Sequence, residues 1–152
     1  MNNALQGIVA KHEAERNLLS LLKEAQDKYG YLSEELVIEL AESLDIPVGE
    51  VYGVGSFYSF LSTKPLGQNV IRICKSIPCY LKNSQTILKA VEERLGIKPG
   101  ETTKDRRFSL QLTNCIGACD QAPAMMINHK LYVNLTPKKT IEILKQLQVT
   151  IQ

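Results

Sequence analysis

Phe108-Ser109-Leu110-Gln111-Leu112-Thr113-Asn114-Cys115-Ile116-Gly117-Ala118-Cys119 decides how this chain is read. Phe108–Thr113 alternates apolar and polar side chains with period two, the pattern of a strand with one face on a core. The strand runs straight into two thiols, Cys115 and Cys119, with the small residues Gly117 and Ala118 between them. The other two cysteines stand upstream in a matching place. Val70–Cys74 is a short β-rich run ending on Cys74, and Cys79 is expected in the loop that follows. The pairs are Cys-x4-Cys and Cys-x3-Cys, separated by 35 residues. Two strands that each end on a cysteine pair are expected to project both pairs from one end of a sheet.

Outward from these strands the element types alternate. Leu88, Val91 and Leu95 form a helical stripe closed by Gly96, a residue that takes the left-handed cap conformation without a Cβ clash. After the second pair, Ala124–Ile127 and Leu131–Leu135 flank Asn128-His129-Lys130, which predicts a hairpin. Thr136-Pro137 opens a last helix with Leu144, Leu147 and Ile151 as its apolar residues, a capping hydroxyl followed by proline at the first helical position. The order β-α-β then β-β-α predicts a minimal thioredoxin-like sandwich, a mixed sheet with helices against it.

The first half is helical instead. Leu18, Leu21, Leu22, Ala25 and Tyr29 lie on one helical stripe, and Gly30 follows as its cap. Ser33 caps a second helix with Glu34 and Glu35 in its first turn, where acids complement the dipole. Its stripe is Val37, Leu40, Ala41 and Leu44, and Pro47 suits the first turn of a third helix carrying Val48, Val51 and Tyr52. Thr63–Gln68 is turn-rich and sets the expected boundary: a helical bundle over 1–66, with a partner-docking role, and a cysteine-bearing α/β unit over 67–152. Charge divides in the same region. Residues 1–68 hold five Lys/Arg and ten Asp/Glu, net −5, and residues 69–152 hold thirteen and six, net +7.

Several classes are disfavoured. No apolar run reaches membrane-spanning length, so no direct membrane insertion is expected. The first fifteen residues have neither a charged start with a long apolar stretch nor an Arg-rich, acid-free character, so a cytoplasmic location is expected. Basic residues are dispersed, with no more than two in succession, which does not suit nucleic-acid binding. Gly53-Val54-Gly55 has no preceding strand and no third glycine, so it reads as helix packing and not as a nucleotide loop. No catalytic residue is assigned. His12 and His129 read as surface residues, Met125 and Met126 as filling on alternate strand faces, and Tyr52, Phe57, Tyr58 and Phe60 as inter-helix or interface packing.

Four thiolates at one point need cations to hold them. Disulfides do not suit a reducing cytoplasm, and redox thiol chemistry would want Cys-x-x-Cys, which is not found here. Two readings stay open on spacing: a [2Fe–2S] cluster, which tolerates loose spacings, and a four-cysteine zinc module bridging subunits, which usually uses tighter pairs. With two ferric ions, two sulfides and four thiolates the cluster carries −2, so the formal charge of the loaded chain would fall from +2 to 0.

At these residues the chain resembles the NuoE-type small [2Fe–2S] subunit of respiratory complex I, a thioredoxin-like ferredoxin family. The family includes the small subunits of NAD(P)-linked and bifurcating hydrogenases and formate dehydrogenases. The resemblance rests on Tyr29-Gly30-Tyr31-Leu32, Val51-Tyr52-Gly53-Val54, Phe57-Tyr58, the Cys74/Cys79 pair, Gly100-Glu101-Thr102-Thr103, Cys115–Cys119, Ala122-Pro123 and Leu135-Thr136-Pro137. It implies a [2Fe–2S] centre with one iron on Cys74 and Cys79 and the other on Cys115 and Cys119. It also implies an electron-transfer role inside a multi-subunit NAD(P)H-linked oxidoreductase. FMN and NAD(P) are then expected on a NuoF-like partner subunit, with further iron–sulfur subunits beyond. The family usually has Ala-Thr at Gly55-Ser56, and often glycine at Arg106 and Asp120. An acid beside the cluster should lower its potential.

Overall fold

The computed structural model describes residues 6–10 and 17–149, and the expectations for His12 and Ile151 fall outside them. The chain divides between Pro65 and Leu66 into two compact units.

In the first unit, residues 6–10 are helical, and three further helices follow: α1 (Leu18–Tyr29), α2 (Glu34–Leu44) and α3 (Val48–Phe57). Each boundary has a local cause. The Asn17 side chain accepts the Ser20 N–H at 3.1 Å, and Gly30 closes α1 at φ 87° by donating its N–H to Gln26 O at 2.7 Å. The Ser33 hydroxyl accepts the Leu36 N–H at 3.2 Å at the start of α2. Pro47 precedes α3 as its capping residue, one position earlier than expected, with extended ψ 138°. The helix runs through both glycines to Phe57. A Cβ at Gly55 would stand 3.2 Å from Leu32 Cδ1, so this glycine lets α3 pack closely, whereas Gly53 meets nothing within 4 Å and has no such role. Leu21, Leu22, Ala25, Leu32, Leu40 and Val51 form the heart of the core. The buried Gln26 amide is satisfied at both ends: its Nε2 donates to Phe60 O at 2.8 Å, and its Oε1 accepts the Ser62 N–H at 2.6 Å.

The second unit contains β1 (Asn69–Cys74), α4 (Ile77–Leu81), α5 (Ser84–Leu95), β2 (Phe108–Thr113), a 3₁₀ turn (Cys119–Gln121), β3 (Met125–Ile127), β4 (Lys130–Tyr132) and α6 (Pro137–Val149). The four strands form one mixed sheet in the order β2-β1-β3-β4. β1 and β2 are parallel, with Asn69 opposite Phe108 and Cys74 opposite Thr113, and the β1–β3 and β3–β4 pairs are antiparallel. Ile71, Ile73, Phe108, Leu110, Met125 and Ile127 present one face to Ile87 and Val91 of α5 and Ile143 and Leu144 of α6. The mixed sheet with helices against it agrees with the expected thioredoxin-like sandwich.

Two elements differ from expectation. The second hairpin arm stops at Tyr132 instead of continuing to Leu135. Asn134 takes φ 48°, which extended backbone excludes, and Leu135 drops into the core beyond it. The turn itself is tight, with Asn128 at φ 52°. Its side chain accepts the Val70 N–H at 2.9 Å and donates to Gln68 O at 3.1 Å, fastening the turn to the start of β1. The second difference is α4, which replaces the expected loop around Cys79.

Candidate metal centre

The parallel register of β1 and β2 positions the site. Cys74 is the last residue of β1 and lies opposite Thr113, the last residue of β2. Both strands leave the sheet at the same end, with Cys79 following β1 and Cys115 and Cys119 following β2. Ile71 and Ile73 point into the core, and the alternation of the strand turns Arg72 and Cys74 to the opposite face.

Cys79 lies on α4, where a loop was expected. Ser76 precedes the helix, Pro78 sits in its first turn, and the Tyr80 and Lys82 N–H groups donate to Ser76 O at 3.0 Å and Pro78 O at 3.2 Å. Serine followed by an early proline is a helix-start signal, but five residues are too few to show a periodic stripe. Cys119 likewise opens a 3₁₀ turn, closed by the Gln121 N–H on Ala118 O at 3.2 Å.

The four thiols differ in exposure. Cys74 and Cys79 are buried, and Cys115 and Cys119 are exposed. The buried pair packs with Ala118 and Ala124 in a small apolar cluster edged by Ile116, Ala122 and Val133. Alanines there leave room beside the sulfurs. The outer pair is close, with Cys115 Sγ 3.2 Å from Cys119 Sγ, and the Gly117 N–H donates to Cys115 Sγ at 3.4 Å. That amide and the Cys119 thiol favour the Cys115 thiolate and lower its pKa, while the shared hydrogen bond raises that of Cys119. Burial raises the Cys79 pKa, opposed by the Ala124 backbone amide. Cys79 feels the charge of Cys74 and Cys115, and Cys119 feels Cys115, Cys79 and Cys74, so the two pairs form one electrostatic unit.

This donor set suits a binuclear cluster. Soft thiolates select iron–sulfur groups or zinc. The thiols gather as two pairs, Cys74 with Cys79 and Cys115 with Cys119, an arrangement that suits two irons with two sulfurs each. Gly117 and Ala124 supply backbone N–H groups beside sulfur, contacts that tune a cluster. Of the other residues considered, His129 is exposed, Met125 is fully buried and Met126 is half-buried on the opposite face.

Residues 5–148 match the family model for the thioredoxin-like [2Fe-2S] ferredoxin. The chain belongs to that family. Among its relatives, a subunit of the NADH-quinone oxidoreductase of Escherichia coli (strain K12) is 40% identical over 128 residues, which span 84% of this chain and 77% of the relative. NADP-reducing hydrogenase subunit HndA of Solidesulfovibrio fructosivorans is 35% identical over 142 residues, spanning 93% of this chain and 83% of the relative. Among solved structures, the NAD+-reducing [NiFe]-hydrogenase in the air-oxidized state superposes with a TM-score of 0.77 at 26% identity. That match covers 89% of this chain but only 23% of the hydrogenase chain. The family membership and both relatives agree with the resemblance read from the cysteine motifs.

Proposed function

We propose that this ferredoxin-family chain holds one [2Fe–2S] cluster on Cys74, Cys79, Cys115 and Cys119 and passes single electrons within an NAD(P)H-linked flavoprotein complex. One observation supports this ligand set: the parallel β1–β2 register sets Cys74, the last residue of β1, opposite Thr113, two residues before Cys115. A bound [2Fe–2S] cluster supplies one-electron exchange, at a potential set by charge, hydrogen bonds to sulfur and exposure. Cys74 and Cys79 would hold the inner iron, shielded by Ala118 and Ala124, and Cys115 and Cys119 the outer one. The Gly117 N–H orients Cys115 and favours its thiolate form. Asp120, exposed beside Cys119, adds negative charge that opposes reduction.

Hydride carriers deliver two electrons together, so a flavin must stand between NAD(P)H and such a centre. FMN and NAD(P) are assigned to a NuoF-like partner subunit, and further iron–sulfur subunits would take the electrons on. The helical residues 1–66 would dock partners and residues 67–152 carry the cluster. No described helix is long and apolar enough to cross a membrane. The chain is placed in the cytoplasm, or at a membrane face through its complex. The isolated chain is expected not to oxidise NADH, and to become reduced once the flavin subunit is added. Visible spectroscopy during NADH titration tests this, with and without that subunit. Robust NADH oxidation by the chain alone would refute the subunit reading.

A further inference from the structure

The helix α4 that carries Cys79 turns its other side chains the wrong way for a fold element. Cys79 is 2% exposed, while Ile77, Tyr80 and Leu81 are 73%, 56% and 71% exposed. Pro78 is exposed as well. Clustered apolar exposure of this kind marks an interaction site, because isolated soluble surfaces rarely gather it. Here it lies on the helix that carries the buried Cys79, which packs with Cys74, so a molecule seated on the patch stands beside the inner thiol pair.

The charge around the patch is positive. Lys75 and Lys82 bracket α4, and both are exposed. Lys139 Nζ donates to the carbonyl of Val133 at 2.7 Å, and Val133 edges the apolar cluster around the buried thiols. Against these stands Asp120 in the loop of the outer pair. Three cations to one acid favour a partner whose contact face is acidic at its rim.

We infer that Ile77, Pro78, Tyr80 and Leu81, rimmed by Lys75 and Lys82, are the docking surface for the redox partner, an apolar patch edged by carboxylates. The inference rests on the proposed electron-transfer role and assigns a place on the chain where the partner binds. The apolar centre supplies short-range affinity, and the lysines steer encounter.

The test uses the loaded full-length chain and its flavin subunit reduced by NADH, followed by stopped-flow absorbance. Two double variants are compared with wild type, I77S/L81S and K75E/K82E, neither of which touches a thiol. Dithionite, a small anionic reductant that needs no docking, should reduce I77S/L81S as fast as wild type at any salt, and K75E/K82E as fast as wild type once ~0.5 M salt screens the reversed charges. K75E/K82E should slow reduction by the flavin subunit about tenfold at low salt, with the gap closing near ~0.5 M salt. I77S/L81S should raise the half-saturating concentration about tenfold at any salt. Equal rates for wild type and both variants with the flavin subunit would overturn the surface and leave the electron-transfer role standing. Failure of wild type itself to be reduced by the flavin subunit would overturn that role, and the surface with it. A wild-type dimer in sedimentation that I77S/L81S dissolves would assign the patch to a second copy of this chain and overturn the partner assignment.

Discussion

Asp120 and Asp105 show how single carboxylates act at opposite ends of the second unit. Asp120 is exposed beside Cys119, and Gln121 Nε2 donates to its Oδ2 at 3.3 Å. A negative charge there disfavours adding an electron nearby. An interaction of about 0.5–1 kcal/mol for such a partly screened charge corresponds to roughly 20–40 mV for one electron. D120N should therefore raise the midpoint potential by that amount in a spectroscopic redox titration, with the visible spectrum unchanged. Asp105 is structural. The Thr103 hydroxyl and then the Arg107 N–H, the latter at 3.0 Å, hold its carboxyl below the usual range. Because the folded pKa is depressed, its stabilisation is present above the unfolded value of about 3.9 and is lost as pH falls through the folded one. D105N should lower the melting temperature at pH 6, and the difference from wild type should shrink as pH falls through the folded pKa, which lies below the unfolded value of about 3.9. A difference unchanged by acid would contradict this.

The elements rest on close backbone approach as much as on side-chain packing. Gly67 leads into β1, and its N–H donates to the buried Ser109 hydroxyl at 2.7 Å. A Cβ at Gly67 would stand 2.8 Å from Phe108 C, 2.9 Å from Phe108 N and 3.0 Å from Arg106 O, all backbone atoms that cannot swing away. G67A should therefore cost about 1–3 kcal/mol in denaturant unfolding. Most elements were legible because pattern and burial agree: Leu21, Leu22 and Ala25 of α1, and Phe108 and Leu110 of β2, are apolar and buried. The helix α4 was not, because the rule that apolar residues face inward is reversed there: Ile77 and Leu81 point out and only Cys79 points in. The shortened β4 was missed because Leu131–Leu135 stays apolar enough for a strand, while one residue, Asn134 at φ 48°, ends the extended run. Pro47 was displaced by one position, within the usual uncertainty of helix ends.

At the scale of the whole molecule, the cysteine spacing carried most of the functional reading. Two close pairs after two strands converge only if those strands run parallel, and a β-α-β order makes them do so. Exposure was not legible. Nothing in Cys-x4-Cys against Cys-x3-Cys says that the first pair is buried and the second exposed. That asymmetry goes with α4 turning Cys79 inward and with the alanines packed beside Cys74 and Cys79. It also makes a prediction for ligand loss. C79S removes a buried thiolate and should abolish the visible chromophore, whereas C119S at the exposed edge should leave a weakened, shifted one, because hydroxyl oxygen is a harder and poorer ligand than thiolate. Four single Ser variants with wild-type absorption would refute the ligand set.

The most direct test is elemental. Protein purified without oxygen is assayed for iron, zinc and acid-labile sulfide per chain. A [2Fe–2S] cluster on these four thiolates requires about two irons and two sulfides with no stoichiometric zinc; one zinc per chain, with neither iron nor sulfide, would contradict it.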